Sequence, residues 1–245
     1  MLKYIIAVLV LLSTFSNIKA EDPYEIFENY LNLRKEKIRK DSIQTLKFTL
    51  LETATNPTTN QTQTVTLKYW YKKDSLYRAE QEAMGQKLKI GYDGTTLWWT
   101  NPQSGGKLEK VQKDYHDFVM FQLIRENIQG GDLANFNRDS VKFEYIDKVT
   151  IDEKECHKIK QVDENNKESV FYYFDALTGL LYQLEAKIEQ GTYYRKVKQY
   201  TKSGGFFFPL KVEEWLNDKK IKDKTYQTIS INTKIDDRFF AMPTE

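Results

Sequence analysis

The feature that most constrains this chain is a long succession of short runs in which apolar and polar residues alternate. Between residues 45 and 231 these runs are separated by turn signals such as Asp93-Gly94, Thr178-Gly179 and Gly204-Gly205. A period of two places side chains on alternate faces of a β-strand, and Asp-Gly between two such runs is typical of a hairpin. The pattern predicts a mainly β fold: an antiparallel meander of about ten or eleven strands, as a barrel or one strongly curved sheet.

Two segments depart from this pattern and are predicted to be helices. Asp22-Pro23 is a typical helix start, and the helical spacing of apolar residues continues to about Lys40. Residues 113–129 form the second helix, which Gly130-Gly131 ends. Because this helix is apolar on almost every side, we expect it to be buried or to cover an apolar surface.

Residues 1–20 have the pattern of a secretory signal. Lys3 gives a positive start, residues 4–12 are an apolar run, and residues 13–20 are more polar. Nine apolar residues are too few to cross a hydrocarbon core of ~30 Å as a helix, although an uncleaved anchor is the alternative. We therefore expect cleavage after Ala20, export, and a single mature domain over residues 21–245.

The charge balance of the mature chain excludes one class of partner. Removing Lys3 and Lys19 with the signal leaves 35 basic against 35 acidic residues. A neutral chain lacks the broad positive surface of a nucleic-acid binder, so no nucleic-acid partner is expected. The single cysteine, Cys156, cannot form an internal disulfide.

Groups that could carry catalysis are sparse. Cys156 and His157 are neighbours on a predicted strand and point to opposite faces, so we expect a buried thiol and an exposed imidazole rather than a joint site. His116 has no second histidine near it for a zinc site, and nucleophile-elbow, Walker and dinucleotide motifs are absent from the sequence. The sequence predicts no catalytic residue, cofactor or metal ion. A hydrolase using scattered carboxylates such as Glu213-Glu214 is the weakest alternative.

The apolar faces of neighbouring predicted strands are expected to line the concave side of the curved sheet. The alternation from Leu97 places Trp99 rather than Trp98 on that side, and a slip of one residue would reverse the assignment. The six residues predicted to line an apolar cavity there are Leu67, Tyr69, Leu88, Ile90, Leu97 and Trp99.

The sequence over residues 67–101 resembles a known family. It reads LKYWYKKDSLYRAEQEAMGQKLKIGYDGTTLWWTN, followed by Pro102. Its strand, lysine-rich turn, Arg78 and Asp93-Gly94 hairpin resemble the outer-membrane lipoprotein-sorting family, the LolA-like periplasmic lipoprotein carriers. Tyr172-Tyr173-Phe174-Asp175, Thr178-Gly179-Leu180 and Phe208-Pro209 are similar to a branch common in Bacteroidetes-like bacteria.

This resemblance implies an incomplete, strongly curved barrel whose concave face is covered by helices and shelters acyl chains. The implied function is non-catalytic: a monomeric carrier takes a lipid or lipoprotein from an inner-membrane donor to an outer-membrane acceptor. The turn at 72–74 aligns with the turn that holds the lid closed in that family, which makes Lys73 a candidate latch. The 113–129 helix is the expected lid, through Phe118, Met120, Phe121, Leu123 and Ile124.

One alternative from a different class stays open. The cavity could be filled by the protein's own side chains, and the chain would then be a structural or interaction module of the cell envelope.

Overall fold

The computed structural model describes residues 21–34, 42–73, 76–83, 86–101, 104–111, 142–162 and 170–243. These residues form one helix, α1 (Pro23–Leu33), and one antiparallel sheet of thirteen strands. The strands are β1 (Thr45–Thr55), β2 (Thr62–Lys72), β3 (Leu76–Ala83), β4 (Gln86–Tyr92), β5 (Leu97–Asn101), β6 (Lys107–Lys110), β7 (Lys142–Ile151), β8 (Lys154–Val162), β9 (Val170–Asp175), β10 (Leu181–Ile188), β11 (Gly191–Ser203), β12 (Phe206–Leu216) and β13 (Lys219–Ile231). A short 3₁₀ turn, Asp237–Phe239, follows β13.

The strand order confirms the predicted incomplete barrel. It runs β6-β5-β4-β3-β2-β1-β13-β12-β11-β10-β9-β8-β7. Strands adjacent in sequence pair with each other except β6 and β7, which are the two ends of the order; β1 pairs with β13, and the sheet is not closed. The described residues form thirteen strands, more than the ten or eleven expected.

The Asp93-Gly94 hairpin forms as its sequence indicates. The Asp93 carboxylate accepts hydrogen bonds from the backbone N–H groups of Thr95 and Thr96, at 2.9 and 2.7 Å. Gly94 has a φ of 95°, which a residue with a side chain rarely adopts. The turn fixes the register of β4 and β5, and with it the face on which each side chain of these strands lies.

Helix α1 lies on one face of the sheet, which we call the inner face. Asp22 caps it by accepting a hydrogen bond from the Tyr24 N–H at 2.9 Å. Phe27 is fully buried, with ring centroids 4.2 Å from Phe143 and 4.8 Å from Phe174. The helix cluster under α1 comprises Phe27, Tyr30, Leu31, Phe143, Ile159, Tyr172, Phe174 and Leu180.

The opposite, outer face is also partly covered, contrary to the expectation of a sheet with one dry and one wet face. The alternation of apolar residues over 180–188 would place Tyr182 on the same face as Leu184, but a register shift between Leu181 and Gln183 interrupts it. Tyr182 therefore packs on the outer face with Cys156 and Tyr173, whereas Leu184 packs against the helix cluster. A bulge of this kind turns one side chain to the other face, and the alternation of residues alone does not locate it.

Candidate functional site

The six residues predicted to line a cavity lie on one face of the sheet. Directly paired residues of adjacent antiparallel strands share a face. Tyr69 pairs with Ala79, Ala79 with Ile90, and Ile90 with Trp99. Two further rows of paired residues cross the sheet on the same face. One joins Leu67, Gln81 and Leu88, and the other joins Tyr92 and Leu97. We call this set of Leu67, Tyr69, Leu88, Ile90, Leu97 and Trp99 the inner patch.

The inner patch is on the same face as α1. Leu67 pairs with Leu50 on β1. Glu52 lies two residues further along β1 on the same face and pairs with Lys224 on β13, which in turn pairs with Val212 on β12. Further pairs carry this face across β11 and β10 to Tyr172 in the helix cluster. One continuous inner face therefore holds the helix cluster at one end and the inner patch at the other.

The side chains of the inner patch are only partly covered. Leu97 is buried against Tyr77, and the other five members are half-buried. Leu67 and Tyr69 pack at the edge of a cluster around Phe48, whose ring stacks on Tyr69 at 4.6 Å. The patch is an apolar surface that is neither fully packed nor fully exposed.

Trp98 lies on the outer face and has a structural contact instead. It is fully buried, and its indole N–H donates a hydrogen bond of 2.9 Å to the carbonyl of Phe240. The Arg78 guanidinium lies 5.5 Å from the Trp98 ring and donates to the Phe239 carbonyl at 2.9 Å. The segment after β13 is thereby fixed to the back of the strands that carry the inner patch.

A group of charged residues lies on the inner face of the middle strands, beside buried apolar residues such as Leu50 and Val212. We call Glu52, Arg195, Glu214, Lys222 and Lys224 the ionic cluster. Lys224 Nζ lies 2.8 Å from a carboxylate oxygen of Glu214 and 4.0 Å from one of Glu52, and Lys222 Nζ lies 3.2 Å from Glu52. Arg195 is directly opposite Glu214 in the β11–β12 register.

The electrostatics of this cluster favour the ionised forms. Burial by itself raises the pKa of Glu214, but Lys224, Lys222 and Arg195 outweigh it and lower that pKa below its usual value. Nearby, burial raises the pKa of Tyr200 well above its usual value, while the positive charges of Arg34 and Arg195 oppose this. The ionic cluster therefore extends toward the C-terminal end of α1, where Arg34 donates to the Tyr30 hydroxyl at 2.7 Å.

The structure describes the predicted latch residue but not the predicted lid. Phe118, Met120, Phe121, Leu123 and Ile124 lie outside the described residues. Lys73 is described, and its backbone N–H donates a hydrogen bond of 2.7 Å to the Gln44 carbonyl. Its neighbour Lys72 forms an ion pair with Asp237 on the segment after β13. A latch at Lys73 stays a prediction.

Cys156 and His157 lie on opposite faces and do not form a joint site. Cys156 is fully buried on the outer face, and burial raises the pKa of its thiol to about 11, which keeps it protonated. The expectation of an exposed His157 was wrong. Its imidazole Nδ1 lies 2.7 Å from the Glu21 carboxylate, and its side chain is 13 % exposed.

A cleft of about 470 Å³ lies beside this pair. It is lined by Glu21, Asp22, Glu25, Ile26, Asn29, His157, Asp175, Ala176 and Gly179. Within the described part of the chain, His, Cys, Asp and Glu form no group of three that could hold a metal ion. In the same residues no helix is long and apolar enough to span a membrane.

Comparison with known proteins identifies the fold. No family model matches the chain, and no curated protein matches it by sequence. Among solved structures, a LolA superfamily protein from Nitrosomonas europaea is 13% identical at a TM-score of 0.51, over 91% of this chain and 98% of that one. The chain has the LolA fold.

Two further structures agree with this result. An outer membrane lipoprotein-sorting protein domain from Vibrio parahaemolyticus is 11% identical, with a TM-score of 0.50 over 87% of this chain and 97% of its own. A DUF1329 family protein from Desulfovibrio piger is 10% identical, with a TM-score of 0.52 over 90% of this chain and 98% of its own. The resemblance of residues 67–101 to LolA-like proteins is thus confirmed for the fold, while the Bacteroidetes-type branch stays a prediction.

Proposed function

We propose that this protein is a non-catalytic periplasmic carrier that shelters the acyl chains of a lipid or lipoprotein during transfer to the outer membrane. The observation that carries the proposal is the inner patch. Its apolar side chains lie together on the inner face of an open sheet, and five of the six are half-buried. A surface that is apolar, built from side chains of three strands and incompletely packed is suited to an acyl chain, which needs area rather than specific partners.

The energetics of such a site fit transport better than storage. Each methylene transferred from water to an apolar surface contributes ~0.8 kcal/mol, so about ten buried methylenes contribute ~8 kcal/mol, the free energy of a micromolar complex. A fully enclosing site would hold a multi-chain cargo too tightly to release it. Partial exposure of the patch lowers the affinity, which lets an acceptor take over the cargo.

The rest of the proposal comes from the sequence. It includes cleavage after Ala20, a monomeric domain over residues 21–245, and a lid formed by residues 113–129 with Lys73 as its latch. It also includes an inner-membrane donor and an outer-membrane acceptor.

A second candidate function is an interaction module of the cell envelope. The observation that favours it is the packing around Phe48, whose ring lies 4.6 Å from Tyr69 and 5.6 Å from Tyr226. Here the protein fills part of its own inner face. If such packing extends over the whole patch, it leaves no room for an acyl chain.

Native mass spectrometry and a fluorescent fatty acid separate the two functions. We expect protein purified from its own periplasm to carry a lipid, and delipidated protein to take up pyrene-dodecanoic acid. Ile90→Asn should weaken uptake about tenfold or more, since a polar side chain in the patch loses apolar contact with the probe. Ile146→Asn is the matched control, because Ile146 is 45 % exposed and lies on β7, away from the patch.

An empty native protein that takes up no probe would support the interaction module. Uptake by the folded Ile90→Asn variant equal to that of the control would remove the inner patch from the site.

A further inference from the structure

The ionic cluster is unusual because it lies beside buried apolar residues. Its members belong to the strands in the middle of the sheet, β1, β11, β12 and β13. Glu214 is 8 % exposed, and the side chains of Lys224 and Glu52 are 12 % and 18 % exposed. Charges so far removed from water are costly unless opposite charges balance them.

The described members of the cluster do not balance. Arg195, Lys222 and Lys224 carry three positive charges, and Glu52 and Glu214 carry two negative ones. Both carboxylates are engaged by lysines: Glu214 by Lys224, and Glu52 by Lys222 and Lys224. Among the described residues, the surplus positive charge therefore falls to Arg195.

Arg195 is placed to bind an anion. Its Nε is buried and has no hydrogen-bond partner within the described residues. A guanidinium presents its donors in a planar fork that matches a carboxylate or phosphate group, which a lysine cannot do. A buried donor left without an acceptor is costly, and an incoming anionic oxygen would remove that cost.

The inner patch begins next to this cluster. On β1, Glu52 is two residues from Leu50, which pairs with Leu67 of the patch. Two residues along a strand correspond to ~7 Å on one face, about the length of a few methylene groups. Arg195 itself lies on β11, three strands from β1, which is ~15 Å at the usual strand spacing. An amphiphile with its anionic head at Arg195 therefore reaches the patch when its chain is long enough to cross β12 and β13.

We propose that the ionic cluster binds the anionic headgroup, a carboxylate or phosphate, of an amphiphile whose acyl chain lies on the inner patch. This inference rests on the proposed carrier function and narrows its cargo to negatively charged amphiphiles. Lys222, whose side chain is 30 % exposed, provides a second positive charge for the same headgroup.

Pyrene-dodecanoic acid and its methyl ester test the proposal, because they share the same chain and differ at the head, which is an ionisable carboxyl in one and an uncharged methyl ester in the other. At pH 8, where the free acid is ionised, delipidated protein should bind the acid about tenfold more tightly than the ester, equivalent to 1.4 kcal/mol. Arg195→Gln and Lys222→Gln should each reduce this preference while leaving ester binding unchanged. Lys211→Gln is the matched control, since Lys211 is exposed and pairs with Thr225 on the outer face of the same strands.

The outcomes distinguish this inference from the carrier function. If acid and ester bind equally well, the headgroup site is wrong and the carrier function stands. If neither binds, the carrier function fails, and the inference with it. If inorganic phosphate displaces the acid as effectively as an unlabelled fatty acid does, the cluster is a site for a free anion, which overturns the amphiphile. Circular dichroism shows whether each variant is folded. If Arg195→Gln is unfolded, the result for Lys222→Gln decides.

Discussion

The two ends of the inner face are built from the same kind of strand, yet one is core and the other is a surface. At the covered end, α1 lies over β7, β8 and β9, and Phe27 contacts three aromatic rings there. At the open end, Ile90 and Trp99 have similar apolar character but are only half-buried. The difference teaches that alternation decides which face is apolar, whereas the element packed on that face decides how completely its side chains are buried.

The largest effect should come from removing an aromatic ring at the covered end. Phe27→Ala leaves a cavity among Phe143, Tyr172 and Phe174, and we expect it to lower the free energy of unfolding by ~3 to 5 kcal/mol. Trp99→Ala at the open end removes a larger side chain but should cost only ~1 to 2 kcal/mol, because Trp99 is half-buried. Urea unfolding of delipidated protein measures both. Equal costs would mean that the open end is core as well.

An intermediate effect should come from the back of the open end. A Cβ at Gly91 would lie within 2.5 Å of the Trp98 ring, so Gly91→Ala should lower the free energy of unfolding by ~1 to 3 kcal/mol. Trp98→Phe alone loses the hydrogen bond to Phe240, but Gly91→Ala should cost less in that background than in the wild type, because the smaller ring leaves room for the methyl group. Thermal unfolding of Gly91→Ala, Trp98→Phe and the double variant measures this. An equal cost of Gly91→Ala in both backgrounds would show that it has another origin than the contact with Trp98.

The smallest effect should be a pH dependence at the back of the covered end. Asp152 accepts hydrogen bonds from the Tyr182 hydroxyl at 2.6 Å and from Lys198 and Lys196 at 3.0 and 3.2 Å. These bonds hold the pKa of Asp152 below its usual value. The ionised Asp152 carboxylate therefore stabilises the folded protein fully at pH values above its unfolded-state pKa of ~3.9. This stabilisation is lost as the pH falls through the lower pKa of Asp152 in the folded state.

Asp152→Asn should then be less stable than the wild type at pH 6 by under ~1 kcal/mol, because the carboxylate is partly exposed and screened by water. The difference should shrink toward pH 2, as urea unfolding across that range would show. Asp218→Asn, at an exposed carboxylate in the β12–β13 turn, is the control. A constant difference between the Asp152 variant and the wild type at all pH values would contradict the role of the charge.

Much of this fold could be predicted from local sequence, because local signals set most of the register. The Asp93-Gly94 turn and the alternation after Leu97 were enough to place Trp99 on the opposite face from Trp98. The resemblance of residues 67–101 to LolA-like proteins gave the incomplete barrel. The start of α1 followed from Asp22-Pro23.

Other features could not be predicted, because they depend on contacts between distant residues. Arg195 and Glu214 look like parts of a wet face, and only the pairing of β11 with β12 shows that they lie beside buried apolar residues. The shift beside Tyr182 has no local signal. His157 is covered because Glu21, 136 positions earlier, lies beside it.

The two free ends of the strand order have a mechanical consequence. A closed barrel has a girth fixed by its strand number and stagger, so its interior has one volume. Here β6 and β7 stand at opposite ends of the order and the sheet does not close. Such a sheet can bend more tightly or relax without breaking a hydrogen bond between its strands. Under the proposed carrier function, the same scaffold can therefore hold cargoes of different width by changing its curvature, which a closed barrel of fixed girth cannot do.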